Sequence, residues 1–335
     1  VRIAGPFADE RTFRSRAESS AIAVTKAQLR GWSEGASFPL LPSPESLEVF
    51  LKLREAPSIG APRSDFEFAP VQGDFNQTTD AALWSVGDFD QEITVLKGAS
   101  FDLWEPDAGS PHGSAARKEI HDRVMVKLRR QVRTSSSAYV GMDASAMDRE
   151  GRLPYQRPRI AFRDITNQTN TRTTIASLVP PAVLINSAPV LVLRSGTAAT
   201  EAFVLGVLCS IPFDWYSRRY VELHMNFHIF NWLPVPHFDL DSATTSRVVE
   251  IAGRLAAVDE RYAEWAAEVG VQVGSVKRGA EKDDVIAELD ALVRRLYGLT
   301  DDQVEHVFST FHRGWRYEPR LELVLKHYRA WKVKA

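Results

Sequence analysis

Apolar and polar positions alternate with different periods in different parts of the chain, and each change of period marks a different kind of element. Over roughly the first hundred residues the pattern is mixed and loop-rich. Ser43, Pro44 and Glu45 open a helix: a capping hydroxyl, a proline where no amide is needed, and an acid near the positive pole. That helix is predicted to run to about Arg54, after which the Pro and Gly cluster at 57–62 breaks the chain. Short strands are expected at 92–97 and 101–104, separated by Gly98, and the Pro, Gly and Ser of 106–114 read as an exposed loop. Ile120, Val124 and Leu128 recur at spacing four, which predicts a helix over 115–133 with its basic residues on other faces.

A β-rich stretch is predicted over 138–193. Ile160, Phe162 and Ile165, then Ile175 and Leu178, then the runs 183–185 and 190–193 carry the apolar load of buried strands. The period then lengthens, and Phe203, Val204, Val207, Leu208 and Ile211 form a helical stripe that Pro212 should kink or end. Leu233, Pro234, Val235 and Pro236 read as an extended connector. Beyond Ser242 the pattern is wholly helical. Val248, Ile251, Leu255, Val258, Tyr262, Trp265 and Val269 alternate steps of three and four, and two further stripes follow, from Val285 to Leu299 and from Leu321 to Trp331. Three or four such helices imply a small bundle. The link 270–281, with three glycines, Lys277 and Arg278, is the one long enough to move or to touch a partner. Taken together, the pattern predicts an α+β fold: a mixed, β-rich domain over 1–240 followed by a C-terminal helical bundle over 241–335.

Composition narrows the class without changing the fold. With 335 residues, 44% hydrophobic and 25% charged, the chain is an ordinary globular sequence, long enough for about two packed units. Its single cysteine, Cys209, rules out an intrachain disulfide or a Cys-rich zinc module and fits a reducing, cytoplasmic setting. The longest apolar stretch, 182–193, is interrupted by Asn186, Ser187 and Pro189 and falls short of the ~20 residues of a membrane helix, so no membrane partner is expected. No leader-like segment opens the chain, and a first residue of Val1 rather than Met suggests a piece of something longer.

Charge is where the picture changes. The net charge of −2 conceals a segment, 117–172, with 13 Lys or Arg against 6 Asp or Glu. Its excess of +7 leaves −9 for the remainder. A local excess of this kind is what a phosphate-binding face requires, since Lys and Arg bind duplex DNA by displacing condensed counterions. A solvated, mixed-charge surface gives the same excess.

Catalytic signatures are absent from the sequence: there is no Walker-type phosphate loop, no G-x-S-x-G elbow and no dinucleotide fingerprint. Cys209 lies in an apolar helical stretch, where an inert thiol is expected. His224 and His228 are four apart but have no intervening Glu, so a zinc protease is unsupported and no metal ligands are assigned. Asp88, Asp90, Glu92 and Lys97 could be arranged as a nuclease-like cluster, but their spacing is loose and a solvated turn before a strand is the expected reading. More informative is the run R-I-A-F-R-D-I-T-N-Q-T-N-T-R from Arg159 to Arg172. Arg can grip guanine O6 and N7, and Asn or Gln can grip adenine N6 and N7, so Arg163, Asn167, Gln168, Asn170 and Arg172 are suited to base-edge readout. A plain Asn and Thr loop has the same composition.

The order F-R-D-I-T-N-Q-T-N-T-R-T-T-I-A-S-L-V-P-P (162–181), L-G-V-L-C-S-I-P-F-D-W-Y-S-R-R-Y (205–220) and N-F-H-I-F-N-W-L-P-V-P (226–236) resembles the C-terminal specificity region of gamma-type adenine-N6 DNA methyltransferases. These occur in type IIG restriction-modification enzymes and related phage-defence methylases. E-L-D-A-L-V-R-R-L-Y-G-L-T-D-D-Q-V (288–304) is similar to their helical end, and V-L-K-G-A-S-F-D-L-W (95–104) to the strand pair that opens the region. The family's F-x-G-x-G cofactor loop and N-P-P-Y catalytic motif are both missing. The resemblance therefore implies a target-recognition module without catalytic residues of its own. S-adenosylmethionine would belong to a methyltransferase domain of the same parent polypeptide, upstream of Val1. Double-stranded DNA is the implied partner. Arg117, Lys118, Arg129, Arg130 and Arg133 are expected on phosphates, and Arg159, Arg163, Asn167, Gln168, Asn170 and Arg172 on bases or nearby backbone. Asp164 is expected to brace an arginine, and Asn226, Phe227 and the L-P-V-P corner to be structural. Two rivals remain: a standalone metal-dependent nuclease using the 88–97 acids, and a helical protein-interaction scaffold.

Overall fold

The computed structural model describes residues 1–3, 9–16, 21–32, 38–167 and 169–332. Near the N-terminus, strands β1 (Arg2–Ile3) and β2 (Ile22–Ala23) pair antiparallel, and helices α1 (Glu10–Arg16) and α2 (Lys26–Trp32) accompany them. Helix α3 (Pro44–Leu53) forms where its opening residues predict. Ser43 Oγ accepts from Ser46 N at 3.2 Å, and Val49, Phe50 and Leu53 are buried on one side. The following elements are β3 (Glu67–Val71), β4 (Ser85–Val86), β5 (Ile93–Leu96) and β6 (Gly113–Ala115), then α4 (Arg117–Gln131) and α5 (Ala144–Arg149). Strands β7 (Arg159–Phe162), β8 (Ala176–Val179), β9 (Val183–Leu184) and β10 (Val190–Ser195) complete the sheets.

One four-stranded sheet has the order β3-β10-β7-β8, all antiparallel; the other, β4-β6-β5-β9, carries one parallel pair, β5 with β9. In the first sheet β7 and β8 are buried on both faces, so apart from Arg159 and Ser177 their residues are apolar. The side-chain period of two still sorts them. Ile160, Phe162, Ala176 and Leu178 join the large helical core, whereas Ala161 and Val179 face Leu96, Phe101 and Leu184 between the sheets. Helix α4 covers the second sheet: Ile120, Val124, Met125 and Leu128 are buried with Ile93, Val95, Ala115, Val183 and Ile185.

The remaining helices are α6 (Ala198–Leu208), α7 (Ile211–Ser217), α8 (Phe227–Phe230), α9 (Ala243–Ala256), α10 (Ala263–Val269), α11 (Ala280–Tyr297), α12 (Asp301–Ser309) and α13 (Glu318–Lys332). The expected α+β class, with a helical C-terminal region, is what the structure has. The principal core is continuous across position 240: Phe162, Phe203 and Val204 share it with Val248, Leu289 and Val324. The apolar stripes of α9 and α11 are thus used against α6 as well as against each other.

Several local expectations are corrected. The segment 101–104 is not a strand but a turn with a single bridge between Asp102 and Glu105, and the end of the expected loop 106–114, together with Ala115, is the buried strand β6. Pro212 opens a helix rather than ending one: α6 stops at Leu208, and α7 begins anew with Ser210 as cap and the proline in its first turn. The stripe 248–269 is two helices, α9 and α10, split by a 3₁₀ turn at Glu260–Tyr262. The link 270–281 is tied down, with Gly274 N donating to Ala257 O at 2.8 Å and Arg278 paired to Glu105 at 3.1 Å. Among the described residues no single helix is long and apolar enough to cross a membrane, and the apolar pair α6 and α7 is bent by 66° and buried in the core.

Candidate nucleic-acid interface

Helix α4 owes its basic face to its packing. Ile120, Val124, Met125 and Leu128 are buried on one side, at about 1.5–3 kcal/mol of stabilisation for each large side chain, and Val126 alone of its apolar residues stays exposed. What is left for solvent is Lys118, Arg123, Arg129 and Arg130 with Glu119 and Asp122, and Arg133 follows just beyond the helix end. Arg117 is also exposed; its backbone amide is capped by Glu92 Oε2 at 3.1 Å, and that bond holds the Glu92 carboxyl below the usual carboxylate range. Arg129 and Arg130 lie in the last turn, where the partial negative charge of the helix end favours cations and helps to hold them in place.

Beside this face lies a cleft of about 380 Å³ lined by Phe75, Asp80, Arg123, Val126, Lys127 and Arg130. Lys127 Nζ donates to Asp74 O and stands 5.5 Å from the centroid of the Phe75 ring. Burial lowers its pKa, an effect that Asp74 and Asp80 oppose. Arg123 lies 3.9 Å from Asp80, and Val126 is 64% exposed at the lip. An aromatic ring, an exposed methyl pair and three cations are thus gathered on one rim. Arg123, Lys127 and Arg130 are spaced four and three apart, a same-face signal available in the sequence but unused in selecting candidates. Phe75 comes from a distant segment and carries no such signal.

The strand and loop candidates are placed differently. Arg159 is 8% exposed and grips Asp74 through two bonds of 2.7 Å, while its second terminal nitrogen also donates to Ala182 O at 2.8 Å. Asp74 in turn accepts from Leu184 N at 2.8 Å. Gly73, at φ 86, makes the arrangement possible: a Cβ there would lie 2.7 Å from Ile185 O. Arg159 is therefore a clamp between the two sheets, and its expected place on DNA is withdrawn because its guanidinium is consumed inside. Arg163 donates to Phe101 O at 3.0 Å and reaches Asp102 at 3.2 Å. Arg172 donates to Asp214 Oδ2 at 2.6 Å, Cys209 O at 2.7 Å and Ser210 O at 3.1 Å. Asp214 is fully buried and also accepts from Thr173 N and Thr174 N. Both arginines face inward, and their expected role at base edges is corrected to fixing the loop.

Asn167 closes an Asx turn, its Oδ1 accepting from Thr169 N at 2.8 Å and Asn170 N at 3.0 Å. Asn170 Nδ2 lies 3.4 Å from Thr166 Oγ1, and Arg218 donates to the carbonyls of Asn170 and Thr171 at 2.9 and 3.0 Å. Gln168 lies outside the described residues. Asp164 meets His224 Nδ1 at 3.2 Å rather than an arginine. Asn226 caps α8, and Pro234 bridges to Ser58, so that corner is structural as expected. The loop 163–172 is thus bolted to α7 and the large core, whereas α4 belongs to the second sheet. The structure brings the α4 residues together and leaves them separate from the loop residues in its packing.

Two carboxylates of the nuclease reading have other duties: Asp88 Oδ1 accepts from Asp90 N at 3.1 Å, and Glu92 caps α4. Among the described residues no group of three His, Cys, Asp or Glu side chains is placed to hold a metal ion. Cys209 is buried, which raises its thiol pKa far above the ordinary value. No family model matches the chain, and no curated protein matches it.

Proposed function

We propose that this chain is the duplex-DNA recognition module of a restriction-modification type adenine-N6 DNA methyltransferase, acting beside a separate domain of the same parent that carries S-adenosylmethionine and the chemistry. The observation that carries the reading is the solvent face of α4, where Lys118, Arg123, Arg129, Arg130 and Arg133 stand together with the Phe75 cleft at their edge. Cations held on a rigid helix can neutralise successive phosphates, and this sequence-independent contact fixes register and orientation on the duplex. The sequence resemblance supplies the methyltransferase context. Base readout falls to the exposed Thr169 and Thr171 and the half-buried Asn167 and Asn170, since Arg159, Arg163 and Arg172 are engaged within the protein.

The test is a gel-shift series with random-sequence duplexes at low salt. The wild-type chain should shift the duplex, and the triple variant Arg129→Ala, Arg130→Ala and Arg133→Ala should bind at least about tenfold more weakly with its circular dichroism unchanged. A wild-type chain that shifts no duplex at low salt, or a triple variant that binds as tightly, sinks the reading.

A further inference from the structure

A second cleft, of about 540 Å³, opens on the other side of the β10 strand, between α5 and the helices α6 and α10. Its size lies within the ~300–1,000 Å³ typical of small-molecule sites. Met142, Met147, Leu153, Leu193 and Trp265 are among its apolar lining. Four carboxylates border it, and three are committed elsewhere. Asp143 accepts from the first amides of α5 at 2.9 and 3.0 Å, Glu150 lies 3.5 Å from Arg152, and Glu268 pairs with Arg157 at 2.5 Å. The remaining cation on the wall, Arg159, is consumed by Asp74. Glu201 differs: its hydrogen bond is from Trp265 Nε1 at 2.9 Å, and among the described residues no Lys, Arg or His nitrogen stands within ion-pair distance of it.

We propose that this cleft binds a small organic cation with an apolar body, an arylalkylammonium in chemical class, its charge on Glu201 and its body against the methionines and Trp265. A half-buried carboxylate with one neutral donor is under-solvated, and a ligand ammonium would give it the charge-assisted bond it lacks. Methionine walls adapt to the shape of the ligand body. In the free protein, burial pushes the Glu201 carboxyl up to about 7, with the Trp265 bond and Arg157 opposing and Glu268 reinforcing. Binding a cation should therefore draw a proton off Glu201. The site is independent of the DNA face and stands or falls without it.

The test is calorimetric titration of the full chain with three probes of similar size: 2-phenylethylamine, 2-phenylethanol and 3-phenylpropanoate. The amine should bind at concentrations up to ~10 mM, at least about tenfold more tightly than the alcohol, and more tightly at about pH 8 than at about pH 5, where Glu201 is protonated. The carboxylate should not bind. Glu201→Gln should abolish the preference for the amine over the alcohol. Met147→Trp, which fills the cleft and leaves Glu201 in place, should abolish binding of both. Equal affinity for amine and alcohol, an unchanged preference in Glu201→Gln, or no amine binding at ~10 mM overturns the proposal.

Discussion

Arg159 and Asp74 sit 85 positions apart in sequence and 2.7 Å apart in space. Neither residue's neighbours announce the other. In the sequence Arg159 is one more cation in a basic stretch, and only the fold shows that its charge is spent holding β7 to the start of the second sheet. The same holds for Arg172, whose partner Asp214 lies inside α7. Charge counting therefore identified the basic segment but not which of its members face water. Residues on α4 were legible because a helix that buries every third or fourth position leaves its charges outside by default. Two measurements follow at this scale. Asp74→Ala leaves the Arg159 guanidinium buried without its counter-ion and should cost about 3–5 kcal/mol in urea unfolding, against less than about 0.5 kcal/mol for the exposed Arg129→Ala.

Glu201→Gln tests the carboxyl that burial holds near 7. The folded-state pKa lies above the unfolded value, so this carboxyl's contribution to stability is fully present below about pH 4.5 and is lost as pH rises through about 7. The glutamine variant should match wild type at about pH 4 and exceed it at about pH 8 by about 1–2 kcal/mol, partial solvent screening limiting the gain. A gain of the same size at both pH values would mean that packing, not ionisation, sets the difference.

At the scale of elements, helix starts and buried strands were readable wherever a local signal decides them. Ser43 and Pro44 fixed α3, and the apolar runs marked β7 and β8, buried on both faces, and β10, buried at its start. Misreadings arose where a local signal has two uses. Pro212 breaks a helix in its interior but suits a first turn, and Ser210, two residues earlier, supplies the cap that selects the second use. The loop 163–172 looked like a free polar ribbon because its anchors, Phe101 O, Asp214 and Arg218, are contributed by other segments. Arg172→Ala should therefore act on stability first. It strands Asp214 in the core and should cost about 3–5 kcal/mol, with amide exchange at Thr173 and Thr174 accelerated ahead of global unfolding. Unchanged exchange at those two amides would show that the clamp does not hold the loop.

Across the whole molecule, two four-stranded sheets and a helical core form one connected structure in which three of the six arginines in the basic segment's second half, Arg159, Arg163 and Arg172, act as internal ties. The surplus charge that remains on the outside is concentrated on α4, at the edge of the Phe75 cleft. The overall charge of −2 would make non-specific attraction to a polyanion weak, so duplex binding must come from that face. The most direct measurement is the salt dependence of duplex affinity by fluorescence anisotropy, for wild type and for the Arg129, Arg130 and Arg133 triple alanine variant. Each cation on a phosphate contributes about −0.9 to the slope of log K against log salt, so the account predicts a steep wild-type slope that the variant flattens by about 3. A wild-type affinity that does not change with salt, or a slope that the variant leaves intact, would contradict it.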